Sequence, residues 1–414
     1  AWRWAVEHHR ADLLAPALES LHLFGLMRSY QAWGKKLFVT ARQTFTQTAY
    51  PALWAKLTVR FPDVGEDIQE IYRTCLKIAH DNGDQCEAGY CLRMLGVSLA
   101  HHDENMTAGL PILEQALALF QSINADFYAA QVMDDIAFAY TIIGDANNHR
   151  KYGEMCLALR RKIGDIVRTA DVILNLASTY ILVGDFRDII SAYQEAEKIY
   201  RMTNNLAGLS HSYGLQAYTH LQLGQRDLAL EKAQLAYDIA RDVRDIEGII
   251  YGADVLCVWH IINGDIAQGK AYHHEVVALA SKVYYPLFPP EWTHALIAVI
   301  DQRYDEVMPF IRQRLQGVRE SNRPNLGIVA ILFYFIMQTQ KGITTHADLE
   351  RMSSADQFIH NAYGGSWLDH WKMYQDAQAT LRTTWGEATY NAIWARGDAD
   401  TILSQLLTWA EALL

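Results

Sequence analysis

Four glycines recur at an interval of forty residues, Gly144, Gly184, Gly224 and Gly264, and three of them are followed by aspartate, at Asp145, Asp185 and Asp265. Glycine accepts the left-handed backbone past a helix C-terminus, and aspartate caps the N–H groups that open the next helix, so the pair suits a tight helix-to-helix turn. Each glycine follows an apolar helical stretch such as 173–180 and precedes another such as 189–200. Each forty-residue unit therefore reads as a helical hairpin, and the chain as a helical repeat array.

Composition agrees with an all-α protein: half of the 414 residues are apolar, 11% are aromatic, and only nine are proline. A repeat array grows by units that touch only their neighbours, so length does not count domains. The formal charge of −11 comes from 47 acidic against 36 basic residues, and the basic ones are dispersed, which argues against nucleic acid as a direct partner. Cys75, Cys86, Cys91, Cys156 and Cys257 are odd in number and lack CxxC spacing, which fits a reducing cytoplasm. The longest apolar run, 327–337, is too short to cross a bilayer and suits one buried helix, so no membrane partner is expected. With no initiator Met, no signal-peptide pattern and an opening inside a helical segment, the chain reads as a piece of a longer protein.

Four segments are expected. Residues 1–85 form N-terminal hairpins, 12–28 with 35–47 and then 51–60 with 66–80, the second closed by Gly83-Asp84. Residues 86–286 hold five repeats of about forty residues. Pro286, Pro289 and Pro290 then break the pattern, because proline lacks the N–H and fixes φ. Residues 287–341 are degenerate repeats, with helices over 291–300 and 305–318. Residues 342–414 form a helical C-terminal cap, with helices over 346–362, 368–384, 387–396 and 401–414 and a turn at Gly364-Gly365.

Within the clearest unit, Ile173, Leu176, Ala177, Tyr180, Gly184, Phe186, Tyr193 and Ala196 resemble the tetratricopeptide repeat pattern. Small Ala177 and Ala196 let paired helices approach, while Tyr180 and Tyr193 fill the gaps beside them. His149 and Gly269 replace the usual small Ala, and Gly153 and His273 the usual aromatic, so those units are expected to pack irregularly. The resemblance implies a right-handed α-solenoid of such hairpins. At the ends, Trp2-Arg3-Trp4-Ala5-Val6-Glu7-His8 resembles the segment that follows the winged-helix region of STAND signalling ATPases, the class of the bacterial maltose-regulon activator and many LuxR-type regulators. Residues 381–390, continued by 392–397, are similar to the ending of their repeat arms.

That likeness implies the arm that senses an inducer, a small molecule or a protein, and acts on the nucleotide-binding module of its own full-length chain in transcription regulation. No G-x-x-x-x-G-K-[ST] loop occurs, and Gly269-Lys270-Ala271 lacks the upstream glycine, so ATP chemistry is expected outside this fragment and no cofactor within it. A constitutive scaffold docking partner peptides or helices is the alternative.

In tetratricopeptide arrays the first helix of each hairpin lines the concave side. Carried over by position, the binding candidates are Gln131, Asp134, Phe138 and Thr141, then Asp171 and Ser178 with Asn175 as a polar neighbour, then His211, Tyr218 and Gln222, then Tyr251 and Asp254. Carboxylates and rings projecting into a groove suit a peptide, nucleotide-like or sugar-like ligand. They also fit an ordinary solvated face, with Asp134 or Asp254 bonded locally. Adjacent residues on a helix point about 100° apart, so His8-His9, His101-His102-Asp103-Glu104 and His273-His274 are not expected to hold a metal. Trp2, Trp4, Trp367, Trp371, Trp385, Trp394 and Trp409 gather at the ends with helical spacing and are expected to pack there. Neither a Gly-x-Ser-x-Gly elbow nor a His-Glu-x-x-His motif occurs, and Asp134-Asp135 are helix neighbours rather than a facing acid and base; catalysis is not expected.

Overall fold

The structure, a computed structural model, describes residues 1–27, 31–62, 67–102, 107–143, 145–183, 189–280, 282, 291–321, 324–363 and 367–414. Among the described residues there are twenty-two α-helices, two short 3-10 turns and no strand, as the composition required. The chain divides into two compact units, 1–165 and 166–414. The division falls inside the segment 86–286, between two of its helices.

The first unit runs α1 (Trp2–Glu7), α2 (Ala11–Met27), α3 (Gln31–Thr44), α4 (Pro51–Arg60), α5 (Ile68–Asp81), α6 (Gln85–His102), α7 (Leu110–Ser122), α8 (Asp126–Ile143) and α9 (Ala146–Ile163). Helices pack as sequential pairs, α4 on α5, α6 on α7 and α8 on α9, while α2, α4, α6 and α8 also touch in that order. One layer therefore consists of the first helix of each pair.

The second unit repeats this plan with α10 (Ile166–Val183), α11 (Ile189–Thr203), α12 (Leu206–Gln222), α13 (Arg226–Val243), α14 (Ile246–Ile262), α15 (Ile266–Ala280), α16 (Glu291–Ile300) and α17 (Tyr304–Ser321). Its first helices, α10, α12, α14 and α16, again meet one another in order. Then follow α18 (Asn325–Gln340), α19 (His346–Tyr363), α20 (Lys372–Trp385), α21 (Glu387–Trp394) and α22 (Ile402–Leu413). Sequential pairing of this kind is consistent with a helical-repeat array.

The turns show why the period is forty. Gly83, Gly224 and Gly264 have φ of +66°, +70° and +86°. Asp84 accepts from Glu87 N at 3.0 Å, Asp145 from Asn147 N and Asn148 N at 3.1 and 3.0 Å, and Asp265 from Gln268 N at 3.2 Å. Gly144, Gly184, Asp185 and Phe186 lie outside the described residues, as do the side chain of Tyr180, Pro286, Pro289, Pro290 and the Gly364-Gly365 turn.

A second series, not anticipated from the sequence, joins one pair to the next. Asn124, Gly164, Asn204 and Arg244, themselves forty residues apart, all take positive φ, at 55°, 76°, 52° and 59°. After each, the next backbone N–H returns to the helix end: Ala125 to Phe120, Asp165 to Arg160, Asn205 to Tyr200 and Asp245 to Ala240, at 2.8–3.0 Å. These are Schellman closures, and Asn204 and Arg244 show that glycine is favoured there without being required.

The irregular repeat positions are accommodated individually. His149 is buried and its Nδ1 lies 3.0 Å from the Ala137 carbonyl, while Gly153 is buried beside it on the same helix. A Cβ on Gly269 would sit 2.5 Å from Ile261 Cγ1, so α15 lies closer to α14 than an alanine would permit. His273, also buried, bonds Thr293 Oγ1 at 3.1 Å.

One apolar core runs from Ala217 to Ala410, so α18 to α22 share it with the hairpins before them. The apolar run 327–337 forms the middle of α18, with Leu332, Phe333 and Phe335 shut from solvent. Trp371 is fully buried against Phe333, their rings 6.1 Å apart, and Trp409 packs on Tyr334 at 5.0 Å. Trp4, by contrast, is half exposed and stacks on His8. The expected helix over 368–384 is instead a 3-10 turn at Trp367–His370 followed by α20, because buried Trp371 takes extended backbone, φ −80° and ψ 110°.

Candidate functional site

Two polar clusters lie on first helices, one in each unit. In the first unit, α8 carries Gln131, Asp134, Phe138 and Thr141. Gln131 Oε1 accepts from Arg93 Nη1 of α6 at 3.0 Å, and Arg93 also pairs with Asp135. Asp134 lies 3.7 Å from Arg160 Nη2 of α9, the same guanidinium that pairs with Asp165 at 2.6 Å. Thr141 donates to the Ala137 carbonyl at 3.2 Å, and Phe138 is exposed.

Deeper in this layer lies a network that sequence reading missed. Arg60 of α4 pairs with Glu19 of α2 at 2.6 Å and Glu87 of α6 at 2.8 Å, and its guanidinium sits 4.3 Å over the Tyr90 ring. Tyr128 of α8 donates to Glu19, and His22 Nε2 lies 3.1 Å from the Tyr90 hydroxyl. Burial, then the charge of Arg60, pushes His22 down to about 4, so its ring is neutral at pH 7. The pairings Arg60–Glu87 and Arg93–Asp135 leave these cations compensated from within the chain.

In the second unit, Asp171 of α10 accepts from Tyr200 of α11 at 2.7 Å and lies 3.3 Å from Arg168. His211 Nε2 of α12 lies 2.7 Å from Oδ2 of Asp245. The His211 ring meets Tyr251 of α14 edge-on at 5.4 Å, and Tyr251 donates to Glu247 at 2.9 Å. Burial works against a charged His211, but Asp245, then Glu247 and Asp171, outweigh it and raise the ring above its ordinary value. The same pair holds the Asp245 carboxyl low in spite of its burial. Asp171, His211 and Tyr251, from three successive hairpins, thus share one neighbourhood that holds three carboxylates.

The remaining candidates are dispersed. Asn175 is exposed on α10, and the side chain of Ser178 lies outside the described residues. Tyr218 is partly buried against the apolar core and Gln222 half-buried at the end of α12. Asp254 is buried, bonded to Thr293, with Oδ1 left without a hydrogen-bond partner; burial pushes its carboxyl up to about 7. Its carboxyl lies inside the core rather than on an open face.

Among the described residues no group of three or more His, Cys, Asp or Glu side chains is placed to hold a metal ion, and the side chains of 101–104 lie outside them. The five cysteines are free, with Cys86 alone exposed. No described helix is long and apolar enough to cross a membrane. No protein-family model matches the chain, and no curated protein matches it.

Proposed function

We propose that this chain is a binding arm, non-catalytic by itself, which senses an inducer and regulates a STAND-class signalling ATPase through the nucleotide-binding module of its full-length protein. The observation that carries the reading is the convergence of Asp171, His211 and Tyr251 from α10, α12 and α14. Successive first helices aligned in this way make a polar strip out of equivalent positions, which is what a repeat array uses to recognise an extended or multi-point ligand. With Asp171, Asp245 and Glu247 around one histidine and one arginine, the strip favours a donor-rich guest, either cationic or carrying several hydroxyls. The likeness of both end segments to STAND arms supports the regulatory part. The inducer acts by binding resting and active states unequally.

The test is thermal-shift screening of the chain against nucleotides, sugars, polyamines and peptides, repeated on His211→Gln and Asp171→Asn. A ligand at a hundred times its Kd adds about 2.7 kcal/mol to the folded state. A compound that raises the wild-type Tm and loses its effect in both variants supports the reading. Shifts unchanged in both variants place binding elsewhere, and a full-length gene lacking a phosphate-binding loop overturns the signalling role.

A further inference from the structure

In the second unit a short polar line crosses the packing between α14, α16 and α15. Asp254 of α14 is 5% exposed; its Oδ1 has no hydrogen-bond partner, and its carboxyl bonds the Thr293 hydroxyl of α16. Thr293, fully buried, also meets Nδ1 of His273 in α15 at 3.1 Å. His273 is buried too, and its ring centroid lies 5.7 Å from that of His294, which lines an open cleft between α15 and α17 together with Glu306. Three polar side chains from three helices thus meet inside the core.

Around the Asp254 carboxyl, α14 brings Cys257 and α15 brings His273, and among the described residues no charged group of α12 or α13 acts on it. Burial holds the Cys257 thiol well above its ordinary value, so it stays neutral. Around His273 stand His294 on α16, His274 on the same helix and Arg303, the last paired with Glu306. Burial, then these three neighbours, pushes His273 down to about 4, so its ring carries one proton at neutral pH. Burial also pushes Asp254 up to about 7. A carboxyl and a neutral imidazole therefore reach the same hydroxyl, which has a single proton to donate.

We propose that Asp254, Thr293 and His273 form a proton relay, in which ionisation of the carboxyl reverses both hydrogen bonds and moves the imidazole proton from Nε2 to Nδ1. While Asp254 holds its proton, it donates to Thr293 Oγ1, and Thr293 donates to His273 Nδ1. On ionisation Asp254 passes its proton to Thr293, Thr293 passes its own to Nδ1, and Nε2, the ring nitrogen that does not face Thr293, releases one to solvent. The net loss is one proton; the new charge rests on Asp254, and the ring stays neutral but changes tautomer. Thr293 then donates to the carboxylate and receives from Nδ1–H, so the buried anion keeps a charge-assisted hydrogen bond. The contact between α14 and α16, first helices of successive hairpins, thereby responds to pH. The relay is separate from the polar strip of α10, α12 and α14 and stands without it.

Nitrogen-15 NMR of the perdeuterated chain, with the His273 ring signals assigned through the backbone, reads the tautomer directly. Between about pH 5 and 9 the protonated nitrogen of wild-type His273 is expected to change from Nε2 to Nδ1, with its midpoint near 7 and one proton on the ring throughout. Asp254→Asn, which cannot ionise, should hold one tautomer at every pH. Thr293→Val should break the dependence on pH, and Thr293→Ser, which keeps the hydroxyl, should retain it. The wild-type titration decides by itself where a variant does not fold. A single tautomer across the whole range, a ring that takes up a second proton near pH 7, or a tautomer change that persists in Thr293→Val overturns the relay.

Discussion

Nη1 of Arg60 in α4 lies 2.8 Å from Oε1 of Glu87 in α6, and the two side chains are only 4% and 6% exposed. A buried pair of this kind holds two helices in register mainly through the penalty for breaking it. Arg60→Met alone leaves Glu87 charged and buried without its cation and takes the same cation from the more exposed Glu19, and is expected to destabilise the chain by about 3–5 kcal/mol in urea denaturation. Arg60→Met combined with Glu87→Leu should recover most of that loss; a double variant no more stable than the single one would refute the account.

Asp254 gives a pH-dependent prediction. Its carboxyl ionises near pH 7 in the folded chain and near 3.8 in the unfolded one, because burial opposes the charge. The folded state therefore binds the extra proton between those values, and the contribution of this group to stability falls as pH rises from about 4 to 7. The slope is about 1.4 kcal/mol per pH unit. The stability difference between Asp254→Asn and wild type should consequently widen in favour of the variant across that window, as read by denaturation at pH 5, 6 and 7. A difference independent of pH would show that the carboxyl titrates normally.

Glycines in this chain serve two distinct purposes. A Cβ on Gly252 of α14 would lie 2.7 Å from the backbone nitrogen of Tyr237 in α13, and backbone cannot rotate away. Gly252→Ala is expected to cost about 1–3 kcal/mol by forcing the helices apart. Gly264 meets nothing within 4 Å, but its φ is +86°, so Gly264→Ala should cost about 1–2 kcal/mol through backbone strain alone. Melting both variants checks this, and a neutral Gly252→Ala would mean that α13 and α14 yield more easily than their packing implies.

Much of the helical plan was legible in the sequence. The glycine-aspartate pairs announced turns that the structure builds at Gly83-Asp84 and Gly264-Asp265, and α4 and α16 have the bounds their residue patterns indicated. The second turn series escaped notice because Asn124, Gly164, Asn204 and Arg244 share a backbone conformation without sharing a residue type. The spacing was present as a signal; the chemistry was not.

The candidate positions divide for a physical reason. Asp171, His211 and Tyr251 occur near the start of their helices and meet because α10, α12 and α14 align. Asp254 lies one turn beyond Tyr251 in a run from Ile250 to Val258 where every residue, Tyr251 included, is buried; the long Tyr251 side chain still carries its hydroxyl out to Glu247, whereas the short Asp254 carboxyl stays in the core. The α14 stretch is apolar nearly all round, and no single open face could be read from it.

From residue order alone follow most of the helices and the glycine-aspartate turns at Gly83-Asp84 and Gly264-Asp265, because those depend on periodicity and on backbone preferences that act over a few residues. Tertiary structure alone decided which charges neutralise one another. Glu19, Arg60 and Glu87 stand 41 and 27 residues apart in the chain, and Tyr128 a further 41 beyond Glu87. Ion pairing depends on distances of a few ångströms that only packing sets.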